Sequence, residues 1–157
     1  MNNQENEARV RASALATELS DEQITLLAAV VGTHDLTDGE VLINQGDRDD
    51  RLFVVVSGAL EVGQSAPEGG GWVSFARLIP GQIVGELGFL ENSERTASVR
   101  ASGDTVAVSL RRTDLESLLE NDPLLIYRVM RAILRSVHQV VSHMNSQHSH
   151  LVNYIMG

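Results

Sequence analysis

The residues best suited to chemistry lie in one run, Val84-Gly85-Glu86-Leu87-Gly88-Phe89-Leu90-Glu91-Asn92-Ser93-Glu94-Arg95-Thr96-Ala97-Ser98-Val99-Arg100. A strand-like run ends in glycine, a short helical segment opens with Glu86, and Arg95 opens the next strand nine residues later. Backbone N–H groups at a helix start attract anions. A guanidinium offers forked donors that match phosphate oxygens, and a carboxylate accepts hydrogen bonds from sugar hydroxyls. The small residues Gly85, Gly88 and Ala97 let a ligand come close to the backbone. Together these types and spacings suit the capture of a phosphate and a neighbouring sugar hydroxyl. The alternative is a surface ion pair between Glu86 and Arg95, which is weak in water and leaves the flanking glycines without a cause.

Other chemistry finds little support. There are no cysteines, which excludes disulfides, thiolate clusters and cysteine nucleophiles. All 12 basic residues are arginines, so no lysine-containing phosphate loop can form. Ser57-Gly58 lacks the glycine-flanked nucleophile elbow, and an enzyme is not expected. His138, His143, His148 and His150 cluster late, without the four-residue spacing of a helical metal motif. They read as solvated, and no metal is expected. Asp47, Asp49 and Asp50 lack the glycine and distal glutamate of a calcium loop and read as a solvated turn. His34 and Trp72 read as ordinary strand and turn residues.

The chain that must position this run has 157 residues, 43% of them hydrophobic, which suits one packed domain with a modest extension. A net charge of -9 opposes nucleic-acid binding, since phosphate neutralisation needs a basic surface. No apolar stretch is long enough for a membrane span, and the polar, acidic start is unlike a secretory signal. A cytoplasmic protein without a membrane partner is expected.

Residues 5–18 predict a helix with Val10, Leu15 and Leu19 on one side. Ser20 and Gln23 form a capping-box pattern for a second helix through Ile24, Leu27, Ala28 and Val31, with Gly32 as its stop. Short β-branched runs follow at Glu40–Asn44, Leu52–Ser57, Ala59–Val62, Trp72–Leu78, Gln82–Val84, Thr96–Ala101 and Thr105–Arg111, separated by glycine and aspartate turns. Such short, regularly punctuated strands predict an antiparallel jelly-roll or barrel. Thr113 is expected to cap a helix over Asp114–Glu120, and Pro123 to begin a long final helix. Ile126, Met130, Ile133, Val137, Val140, Met144 and Leu151 recur there at heptad spacing, with Gln147 interrupting and Tyr154 extending the seam. That stripe predicts a parallel homodimer through the last helix.

The run from Gly85 to Ala97 also resembles the phosphate-binding cassette of cyclic nucleotide-binding domains: Gly85-Glu86-Leu87-Gly88-Phe89-Leu90, four variable positions, then Arg95-Thr96-Ala97. Wider signposts are Gly46-Asp47, Leu52 to Gly58, Pro80-Gly81 and Arg112 to Leu115, so the resemblance covers about residues 20–145. It implies a mainly β fold, a jelly-roll barrel with flanking helices and a long C-terminal helix. It divides the chain into an N-terminal helical extension (1–19), the β-roll (20–122) and a dimerisation or switch helix (123–157). It implies cAMP or cGMP as the ligand, Arg95 on the cyclic phosphate and Glu86 on the ribose 2′-hydroxyl. Backbone N–H groups around Gly85, Leu87 and Ala97 complete the contacts, Gly88 gives close approach, and Thr96 reaches the phosphate.

In bacterial activators of this superfamily, hydroxyl groups on the long helix reach the base. Here that stretch is Val140-Val141-Ser142, so Arg131, Arg135 or His138 become the candidate base contacts. The activators continue into a helix-turn-helix, and this chain reaches Gly157 about where that would begin, so DNA reading is not expected. The resemblance implies a stand-alone sensor that signals to a downstream protein by shifting its last helix. The alternative is a fold that lost its ligand and serves as a dimeric interaction module.

Overall fold

The computed structural model describes residues 3–66 and 69–156, with side chains described as far as 139 and at Ser142. Two four-stranded antiparallel sheets form the centre. One orders β1 (Gly32–Leu36), β8 (Thr105–Arg111), β3 (Arg51–Ser57) and β6 (Ile83–Val84). The other orders β2 (Val41–Ile43), β7 (Ser98–Ala101), β4 (Leu60–Ser65) and β5 (Trp72–Leu78). The jelly-roll class expected from the turns is what forms, as two sheets rather than one closed barrel.

The uninterrupted run Leu52-Phe53-Val54-Val55 shows why β3 is central. Alternate side chains leave opposite faces of a strand, and both faces of β3 are covered. Phe53 and Val55 join Leu36, Ile43, Leu60, Leu78, Val99 and Ala101 between the sheets. Leu52 and Val54 join Val108 and Leu110 beneath the helices. All four β3 residues are fully buried.

The helices are α1 (Asn3–Ala12), a 3-10 turn (Ala14–Ala16), α2 (Asp21–Ala28), α3 (Glu86–Glu91), α4 (Arg112–Glu116) and α5 (Pro123–Met156). Residues 5–18 thus form α1 and a separate turn rather than one helix. Val10 and Leu15 are fully buried in the same cluster as Ile24, Leu27, Phe89, Leu125, Val129 and Ile133. The capping box forms: Gln23 N donates to Ser20 Oγ, and Ser20 N donates to Gln23 Oε1. Gln23 then ties this cap to α5, accepting from Arg128 at 2.8 Å and donating to Asp122 at 3.2 Å. Asp122 in turn accepts from Leu125 N and caps α5.

Two expectations are corrected. Gly32 does not stop α2, which ends at Ala28; it begins β1, whose five residues pair with β8. Thr113 lies inside α4, whose N-cap is Arg111 without a side-chain bond.

The heptad seam is partly used by the domain itself. Ile133 is buried, and Ile126, Met130 and Val137 pack partly against the core. Tyr127 and Leu134, seven residues apart, remain exposed on α5. The side chains of Val140, Met144, Gln147, Leu151 and Tyr154 lie outside the described residues. Among the described residues no helix is long and apolar enough to cross a membrane.

Candidate functional site

The turn from β6 into α3 builds the site. Gly85 has φ 88°, in the left-handed region that glycine enters without strain, and it turns the chain into α3. At the far end Asn92 takes φ 51° and donates to the Gly88 carbonyl. Arg112 Nη1 holds the Leu90 carbonyl at 3.0 Å, and Arg48 Nη1 holds that of Asn92 at 3.1 Å. Two cations therefore secure the negative end of this short helix.

The return segment is pinned by the Gly46-Asp47 turn. Gly46 N donates to the Arg95 carbonyl, and Arg95 N donates to the Asp47 carbonyl, both at 2.8 Å. These two backbone bonds, spanning 49 and 48 residues, bring Arg95 back beneath α3.

A cavity of about 170 Å³ opens between these segments. Gly85, Glu86, Leu87, Gly88, Arg95, Thr96 and Ala97 all line it, over an apolar floor of Ile43, Val62, Val84 and Val99. All seven cassette residues expected from sequence are thus brought to one hollow. Among the described residues no ion pair joins Glu86 to Arg95, so the surface-pair alternative does not describe them.

Arg95 is 7% exposed. Its Nη1 donates to the Gly85 carbonyl at 3.1 Å and its Nη2 to the Arg51 carbonyl. Asp49 Oδ1 lies 3.8 Å from Nη2, while Nε is buried without a hydrogen-bond partner. Burial pulls the Arg95 pKa below the ordinary arginine value; the Asp49 carboxylate opposes this and the Arg51 cation adds to it. The group stays a cation at neutral pH, as arginine does in proteins. An unpaired buried donor costs about 1–3 kcal/mol.

Gly88 explains how α3 fits over this guanidinium. A Cβ there would lie 2.9 Å from Arg95 Cζ and 2.6 Å from the Asp49 carbonyl oxygen. The glycine is therefore required by close approach.

The candidate base contacts lie elsewhere. Arg131 and Arg135 both reach Glu18 Oε1 at 3.1 Å, and neither lines the cavity. His138 Nε2 sits 3.4 Å from Ser142 Oγ. The structure does not bring these three to the hollow; the two arginines pair with Glu18 instead. His143, His148 and His150 lie outside the described residues.

The sequence reading missed Asp49 and Arg51. Asp49 is not a solvated turn residue: its side chain is 19% exposed and grips the Arg51 guanidinium at 2.8–3.1 Å. Only the close spacing of Asp49 and Arg51 hinted at this; their meeting with Arg95 depends on tertiary structure. His34 and Trp72 are strand residues, His34 bonded to Ser109 Oγ at 2.8 Å and Trp72 beneath the Arg100 guanidinium.

The conserved pattern of the cyclic nucleotide-binding domain matches residues 33–122, more than half of the chain and the whole of this hollow. The chain belongs to the cyclic nucleotide-binding domain family. A solved cyclic nucleotide-binding domain from Methylobacillus flagellatus has the same fold, with a TM-score of 0.77 at 23% identity over 92% of this chain and 83% of that one. An uncharacterised NTE family protein of Mycobacterium tuberculosis is 30% identical over 125 residues, 80% of this chain and 21% of that protein. The cyclic AMP receptor protein of Thermus thermophilus is 28% identical over 130 residues, 83% of this chain and 60% of that protein. The chain therefore spans about a fifth of the length of the mycobacterial relative and three fifths of the Thermus one.

Proposed function

We propose that this cyclic nucleotide-binding domain is a regulatory module that takes cAMP or cGMP into the hollow under α3 and reports its presence through α5. The observation that carries the reading is the convergence of a buried arginine with an unpartnered Nε and a carboxylate, Glu86, on one small cavity. Arg95 would pair with the cyclic phosphate and Glu86 would accept from the ribose 2′-hydroxyl. The N–H groups of Gly85, Leu87 and Ala97 and the Thr96 hydroxyl would complete the grip. The cavity is smaller than the roughly 300 Å³ of typical ligand pockets. It suits the phosphate and sugar, with the base at the open mouth.

Transmission would run through the shared core. Ile83, just before the cassette, and Phe89 of α3 belong to the same apolar cluster as Leu125, Val129 and Ile133 of α5. Packed cores respond by switching between discrete arrangements rather than deforming continuously. A ligand that lifts α3 would therefore shift the population of α5 positions, by as much as its affinity differs between them. The half-packed seam residues Ile126, Met130 and Val137, with the exposed Tyr127 and Leu134, offer α5 a surface for a second copy of the chain. A cytoplasmic setting and an undetermined downstream protein complete the proposal.

One observation favours a second reading, an interaction module without ligand: the Arg95 guanidinium is already engaged by the Gly85 and Arg51 carbonyls. Thermal unfolding in the presence of cAMP, cGMP, the linear monophosphates and cyclic dinucleotides separates the two. Ligand at 100 times its dissociation constant adds about 2.7 kcal/mol to stability, a clear rise in midpoint. A rise with cAMP or cGMP alone supports the sensor, and no rise with any of them supports the ligand-free module.

A further inference from the structure

We propose that Asp49 is a positioning residue that holds the Arg95 guanidinium back from the anion seat and so sets nucleotide affinity lower than the cassette would otherwise reach. The inference rests on reading the cassette as a cyclic nucleotide site. Asp49 and Arg51 form one unit. The carboxylate accepts from the Arg51 backbone N–H at 3.0 Å and from Nε and Nη2 of its side chain at 2.8–3.1 Å. That clasp fixes the Arg51 backbone, whose carbonyl receives Arg95 Nη2. The same carboxylate stands 3.8 Å from Nη2. The carbonyl that accepts from Nη2 and the carboxylate that attracts it thus both come from this three-residue stretch, and only Nη1 is held by the cassette itself, through Gly85.

Two consequences follow for an arriving phosphate. It must share the Arg95 cation with a resident carboxylate, and the two anions repel each other across a partly desolvated site, where charges are poorly screened. The carboxylate also neutralises Arg51, which otherwise would add positive potential. Burial by itself would raise the Asp49 pKa, but the hydrogen bonds from Arg51 and the nearby Arg95 charge outweigh it and hold the carboxyl below its ordinary value. Asp49 is therefore ionised across the neutral range.

Asp49→Asn keeps the size and an oxygen acceptor while removing the charge. Calorimetric titration should show cAMP or cGMP binding about tenfold tighter than in the parent, with affinity falling more steeply as salt is added. Glu22→Gln makes the same change in net charge on the exposed face of α2 and should leave affinity within about twofold, as screening dictates. In the ligand-free protein, the ¹⁵N-labelled Arg95 side chain should exchange its Nε proton faster and rotate more freely in Asp49→Asn than in the parent. Where the asparagine variant folds poorly, Asp49→Ser gives the same charge removal and the same expected direction.

Unchanged or weaker nucleotide affinity in both Asp49 variants would overturn the inference, as would an Arg95 spectrum indistinguishable from the parent's. If the parent binds neither nucleotide, the cassette reading fails. The ligand-free arginine spectrum then still decides whether Asp49 holds Arg95.

Discussion

Replacing Gly88 by alanine tests how the cassette helix sits over its arginine. The new Cβ would approach the Asp49 carbonyl oxygen to 2.6 Å and Arg95 Cζ to 2.9 Å, with Nη1 nearer still. Neither obstacle yields easily: one is backbone, and the other is pinned through Nη1 and Nη2 to two carbonyls. Overpacking of this kind costs about 1–3 kcal/mol, which for a chain of this length lowers the melting midpoint by roughly 2–12 °C. The same substitution made in an Arg95→Ala background should cost less, because half of the collision has gone. Residues in direct contact couple by about 0.5–3 kcal/mol in such a cycle. Thermal and urea melts of the four proteins give the coupling energy. Strict additivity, or a Gly88→Ala protein as stable as its parent, would refute the packing of α3 on the Arg95 guanidinium.

Arg95→Ala should weaken cyclic nucleotide binding by about 2–5 kcal/mol, the range for truncating a buried charged partner, read by calorimetric titration. Glu86→Gln should cost affinity for cAMP or cGMP but little for the 2′-deoxy analogues, because the lost acceptor serves the 2′-hydroxyl; equal losses for both would refute that role. His34 is held below its ordinary 6.5 by burial, with the Arg51 charge adding to it and Asp35 and Asp49 opposing. The unfolded chain then takes up that proton first, so stability should fall as pH drops from 6.5 toward the folded value, and an NMR titration should place His34 below 6.5. Asp49, also depressed, adds stability above its ordinary 3.8 that is lost on acidification through its lower folded value. In acid melts, Asp49→Asn should flatten that last decline.

What could be read from the sequence follows physical locality. The Ser20–Gln23 capping box is a four-residue motif and forms as read. The runs at Trp72–Leu78 and Thr105–Arg111 match β5 and β8 to the residue, since turn residues precede each of them. The spacing from Gly85 to Ala97 located seven of the residues that line the cavity, because a turn, a six-residue helix and the return segment are local constraints, whereas its apolar floor of Ile43, Val62, Val84 and Val99 comes largely from other strands. β1 was missed for the opposite reason. Gly32-Thr33-His34-Asp35-Leu36 carries no apolar alternation, and its strand exists through five pairings with β8, 69 to 77 residues away. The role of Asp49 was hidden likewise: an acidic turn looks solvated until the fold sets Arg95 beside it. Arg131 and Arg135 were drawn toward the ligand by their place on α5, whereas Glu18, over 100 residues earlier, claims both. The heptad stripe could not reveal which of its members the domain would take for its own core, and Ile133 is one of them.

The most direct measurement is a crystal structure of the protein grown with cAMP or cGMP. The account predicts the cyclic phosphate within hydrogen-bond distance of the Arg95 guanidinium, Nε included, with the ribose 2′-hydroxyl on the Glu86 carboxylate. Nucleotide bound away from α3, or a hollow empty at saturating ligand with Arg95 still on the Gly85 and Arg51 carbonyls, would contradict it.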